Sequence, residues 1–133
     1  MRIHGFTVKA KYVDMTTGFP NEPNDKMEHN KFRITLVKDG IIRRFPFYGS
    51  NHDWAKGKKE LDANDLKNAF ASILDDALAG RESFENFCSE FGYDTDSRRG
   101  YAIWKACRNT DVRVYAFGLE DDELIDLVNA LRA

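Results

Sequence analysis

No apolar run in this chain approaches the roughly 20 residues that a bilayer's hydrocarbon core requires. The N-terminal stretch MRIHGFTVKAKYVD alternates apolar with charged residues and lacks the apolar centre of a signal peptide. The expected location is therefore the cytoplasm. Cysteine is scarce: Cys88 and Cys107 are the two, both at apolar-face positions of expected helices, which reads as buried free thiols rather than a disulfide framework. The three histidines, His4, His29 and His52, are scattered without metal-ligand spacing. No GxSxG, P-loop or CxxC motif occurs, so no catalytic constellation is recognisable and the chain reads as non-enzymatic, with no cofactor and no metal. Internal repeats and low-complexity tracts are missing as well.

What is present is an ordinary globular composition of 42% hydrophobic and 32% charged residues over 133 positions, enough for one domain with its own core. Phe supplies 10 of the aromatics and much of the expected core volume. The net charge of −2 conceals a division. Residues 1–60 hold 12 Lys and Arg against 7 Asp and Glu, whereas residues 61–133 hold 8 against 15. A chain basic at one end and acidic at the other can present two faces of opposite potential.

The pattern predicts an α+β fold: a small antiparallel sheet of about three strands, including a hairpin, packed against four or five helices. It is expected as a single domain over residues 1–133, β-rich over 1–50 and helical over 62–133. Residues 2–14 read as one strand with Phe6, Val8, Ala10 and Tyr12 on one face and Thr7, Lys9 and Lys11 on the other. The following TTGFPNEPNDKMEHN reads as an exposed, mobile loop. A hairpin is expected from residues 31–37 and 41–48, closed by Asp39-Gly40 in a type I′ turn. That turn pairs Leu36 with Arg43, Ile34 with Phe45 and Phe32 with Phe47. Pro46 cannot donate to a ladder, which places its strand at a sheet edge.

Helical periodicity begins after Asp62, an N-cap, with Leu66, Phe70, Ile73, Leu74 and Ala77 on one stripe and Gly80 as the stop. A short helix follows from Ser83 with Phe84, Phe87, Cys88 and Phe91, ended by Gly92. A third starts after Asp96 or Ser97 and carries Gly100, Ile103, Trp104 and Cys107. Two further segments are expected over residues 111–117 and 120–131, broken by Gly118, with Glu120, Asp121, Asp122 and Glu123 crowding a first turn where the helix dipole favours negative charge.

The densest stretch is SFENFCSEFGYDTDSRR, residues 83–99. Together with Phe47-Tyr48-Gly49-Ser50, Leu74-Asp75-Asp76-Ala77 and Lys105-Ala106-Cys107, it resembles a widespread group of small bacteriophage and prophage proteins over most of residues 32–133. Gly100 departs from the better helix former expected there and suggests close packing against a neighbour. The resemblance implies a cytoplasmic life in a bacterial host. It also implies a binding protein that inhibits a host protein or nucleoprotein complex, in its most concrete form a CRISPR-Cas effector.

Two surfaces compete for that role. An acidic face of Tyr93, Asp94 and Asp96 with Glu120, Asp121, Asp122 and Glu123, supported by Asp75, Asp76, Glu82, Glu85 and Glu90, could imitate a phosphate track. The alternative is nucleic-acid binding by Arg33, Arg43 and Arg44 on the hairpin with Lys56, Lys58 and Lys59 in the loop after it. Arg33 and Arg44 share a strand face there, while Arg43 points to the other.

Overall fold

The computed structural model describes residues 1–49 and 59–133; the expected contacts of Lys56 and Lys58 therefore lie outside the described residues. The architecture is α+β, and the chain divides into two compact units, Met1–Phe70 and Ala71–Ala133.

The first unit is built on a four-stranded antiparallel sheet in the order β1 (Arg2–Ile3), β2 (Phe6–Thr17), β3 (Glu28–Lys38) and β4 (Ile41–Tyr48). The β3–β4 register is the expected one, with Leu36 opposite Arg43, Ile34 opposite Phe45 and Phe32 opposite Phe47. Asp39 and Gly40 both have positive φ, 52° and 80°, as a type I′ turn demands. The single strand expected over residues 2–14 is instead a tight hairpin. His4 and Gly5 both take positive φ, and Ile3 folds back onto Phe6. This adds a fourth strand to the three expected. Ile3, Phe6, Val8, Phe32, Ile34, Leu36 and Phe45 form one buried face. The first turns of helix α1 (Ala63–Arg81) meet it, with the Phe70 ring edge-on to Phe6 at 5.0 Å. At the sheet edges, β4 carries Pro46, and β1, two residues long, covers only Phe6 and Thr7 of β2.

The β2–β3 connection is shorter and more ordered than the loop the sequence suggests. Strand pairing runs through Thr17 and resumes at Glu28, after a register shift between Tyr12 and Asp14. The remaining turn is fastened by Gly18 N–H donating to Met27 O at 2.7 Å and by the Asp25 side chain, which accepts from the Phe19 and Met27 amides at 3.0 Å each. Asp25 also meets the buried His29 ring.

The second unit takes the rest of α1 with α2 (Phe84–Phe91), α3 (Arg98–Tyr115) and α4 (Asp121–Arg132). Ser83 caps α2 and Ser97 caps α3, each accepting from the amide three residues on. Gly92 ends α2 in the left-handed conformation, as expected. Gly80 corrects an expectation: it lies inside α1 rather than after it, and a Cβ there would run into the Cys107 backbone of α3. Close helix crossing, not termination, is its use. The break expected before Asp111 is also missing, because α3 continues unbroken to Tyr115. Cys88 and Cys107 are buried free thiols. Burial, reinforced by Asp76, pushes the Cys107 thiol up to about 11. No described helix is long and apolar enough to cross a membrane.

Candidate functional site

Directly opposed residues of an antiparallel ladder share a face. On the sheet face away from Phe6, Val8 and Ile34, Lys11 stands opposite Arg33, while Lys9, Thr35 and Arg44 form a row across three strands. Lys9, Lys11, Arg33 and Arg44 are all exposed. Arg2 joins them opposite Thr7, and Lys31 opposite Tyr48, with its Nζ 5.9 Å from the centre of that ring. Asp14, opposite Lys31, is the acidic residue that the register puts on this face. Like charges placed directly opposite cost a sheet about 0.2–1 kcal/mol. The Lys11–Arg33 pair is therefore an arrangement that works against the sheet's own stability.

The basic residues expected from the sequence do not all gather here. Arg33 and Arg44 do. Arg43 pairs with Leu36 on the other face, and its guanidinium donates to the Ile42 carbonyl at 2.8 Å. Lys59 sits over the Tyr12 ring at 5.2 Å, beside a shallow pocket that includes Val8, Phe32 and Leu66. Lys9 and Lys11 are not among the candidates the sequence offers. Their alternation along β2 was visible, but only the β2–β3 register sets them beside Arg33 and Arg44.

The acidic candidates belong to the second unit and are largely engaged within it. The Glu123 carboxylate accepts the Glu120 amide at 3.1 Å, and Asp122 accepts the Glu123 amide at 3.0 Å. Both bonds satisfy donors at the start of α4. Asp121 pairs with Arg81 Nη1 at 2.7 Å, while Arg81 Nε holds Asp111 at 2.7 Å. Tyr93 packs: its ring is parallel to Phe87 at 5.9 Å, and its Cβ and Cγ lie against Gly100. The Asp94 carbonyl accepts the Ser97 amide in the turn, and Asp94 and Asp96 are exposed.

Asp121 does, however, line a groove of about 540 Å³ with Asp75, Arg81, Glu82, Glu90 and the exposed Phe91 and Ile125. The Glu82 carboxyl is held above its ordinary range by its hydrogen bond to Glu90 and then by burial. Two carboxyls can bond to one another only if one carries a proton. Asp94 and Asp96 are outside this groove's lining. Among the described residues, no group of three or more His, Cys, Asp or Glu is placed to hold a metal ion.

Comparison with protein-family models, with curated proteins and with solved structures finds no match for this chain.

Proposed function

We propose that this protein is a non-enzymatic binding protein whose open sheet face engages a nucleic-acid backbone. The observation that carries this reading is the paired placement of Lys11 opposite Arg33 and of Lys9 beside Thr35 and Arg44, exposed and on one face. Phosphates would relieve the repulsion between Lys11 and Arg33. The resemblance of residues 83–99 to small phage and prophage proteins supports an origin in a mobile element acting in a bacterial cytoplasm. A host nucleoprotein, a CRISPR-Cas effector among them, is then a natural target.

The test is fluorescence anisotropy with labelled single- and double-stranded oligonucleotides over a salt series. Four phosphate contacts give a log–log salt slope of about −3 to −4. Reversal of Lys11 and Arg33 to Glu should abolish binding. Binding absent at low salt, or indifferent to that reversal, would sink the reading.

A second reading is favoured by the groove of the helical unit. Asp75, Glu82, Glu90 and Asp121 around the exposed Phe91 and Ile125 suit a cationic, partly apolar segment of a host protein. It would act as a stoichiometric inhibitor through an acidic surface. A nuclease-resistant partner recovered from bacterial lysate, and lost with Glu90→Lys but retained with Lys11→Glu, would favour this reading over the first.

A further inference from the structure

We propose that His29 is held as an imidazolium in a clasp that fastens the β2–β3 loop to the residue after β4, and that loss of one ring proton unfastens it. The argument rests on donor counting around a side chain that is 0% exposed. Asp25 Oδ1 accepts the Met27 amide at 3.0 Å, and Oδ2 accepts the Phe19 amide at 3.0 Å. The same Oδ2 lies 2.7 Å from His29 Nε2. A carboxyl that accepts from two amides and is held below its usual range is an ionised acceptor, so Nε2 is the donor to it and carries a proton. On the other side of the ring, Nδ1 lies 3.1 Å from the Gly49 carbonyl oxygen, which also can only accept. Nδ1 therefore carries a proton too. A neutral imidazole has one N–H and can serve either Asp25 or Gly49, not both.

The surroundings suit a cation. The Phe19 ring stacks on the imidazole with centroids 3.7 Å apart, presenting its electron-rich face. Asp25 supplies the counter-charge from the loop, and its carboxyl is held below the usual range, first by the Met27 amide and also by His29. From β2, the Thr16 hydroxyl meets the His29 carbonyl at 3.5 Å. From β4, the Tyr48 ring stands edge-on to Phe19 at 6.1 Å, with Lys31 of β3 over it. The parts are thus a loop carboxylate, a strand imidazolium and the carbonyl that follows β4, held together by two protons.

Deprotonation removes one of the two bonds. Because Asp25 is the charged partner, the remaining proton stays on Nε2, and the Gly49 carbonyl is left facing a bare nitrogen. The clasp is therefore closed on the acid side of the histidine transition and opens as pH rises through it. Below the Asp25 transition it opens again, from the carboxylate side.

The decisive measurement is nitrogen NMR of the His29 ring in the intact protein, titrated from about pH 5 to about pH 9, with His29→Gln used to assign its signals. The expected result is two protonated ring nitrogens at the low end. Loss of the Nδ1 proton should then coincide with shifts in the Phe19 ring and the Gly49 amide, while Gly100 stays silent. A bare ring nitrogen at the low end would overturn the proposal. So would a deprotonation that leaves Phe19 and Gly49 unmoved.

Discussion

Lys11 stands directly opposite Arg33 across β2 and β3, two cations where a fold selected for stability alone would set opposite charges or a polar pair. On the next row of the same face, Lys9 and Arg44 flank Thr35. The arrangement separates stability from binding, because the substitution that helps one harms the other.

Lys11→Glu turns the repulsive pair into an attractive one. Unfolding free energy should rise by up to about 1 kcal/mol, seen as a higher Tm. Nucleic-acid affinity should fall over the same substitution, with the salt slope shallower by about 1. A variant that loses stability, or binds as before, contradicts the assignment of this face.

Gly80→Ala and Gly100→Ala are both expected to destabilise. In an open helix interior, Gly→Ala gains about 1 kcal/mol. Here a new Cβ at Gly100 would lie 2.9 Å from Tyr93 Cβ and Cγ, and one at Gly80 would strike the Cys107 carbonyl and come within 2.7 Å of the Arg108 nitrogen. Overpacking of this kind costs about 1–3 kcal/mol. Gly80 should show the larger loss in urea unfolding, since backbone cannot rotate away as a side chain can.

Arg81→Met removes the cation that Asp111 and Asp121 share. Asp111 is 18% exposed and Asp121 71% exposed, so the cost falls mainly through the former. A loss of about 1–2 kcal/mol is expected for Arg81→Met, and under about 0.5 kcal/mol for Asp121→Asn, where water screens the pair. Chemical denaturation of the two single variants measures both.

Asp25 makes acid stability a local question. Its carboxyl is held below the ordinary 3.8, first by the Met27 amide. A lowered carboxylate contributes stability that is complete above the unfolded value and is lost as pH falls through the folded one. Urea midpoints taken downward from about pH 5 to about pH 2 should therefore fall less steeply in Asp25→Asn than in the parent.

The β3–β4 hairpin was legible down to individual pairs, because Asp39-Gly40 and the alternation of Phe32, Ile34 and Leu36 specify the same register. The His4-Gly5 hairpin was not, since any non-glycine residue is uncommon at positive φ and the flanking alternation continues through it. Gly80 looked like Gly92 in sequence. One ends a helix and the other admits a neighbour, and only the position of α3 tells them apart. Gly100 was readable in the same terms because a poor helix former stood where a good one was expected. For the candidate face, charge alternation within each strand was visible, whereas the pairing of β2 with β3 across a ten-residue turn was not. The acidic residues at the start of α4 were correctly placed, yet their carboxylates serve amides and Arg81, which charge counting cannot reveal.

Pro46 and the two-residue β1 have a consequence for how the sheet meets other molecules. A strand offering a long row of free amides templates its own kind, through domain swapping, edge-to-edge stacking and ultimately fibrils. Here the β4 border is interrupted by a residue that has no amide hydrogen, whereas β1 covers only Phe6 and Thr7 and, among the described residues, leaves the rest of β2 without a strand neighbour on that side. Strand addition is thereby hindered at β4 and confined to the β2 border, where the like charges of Lys9 and Lys11 oppose a second copy of the same strand.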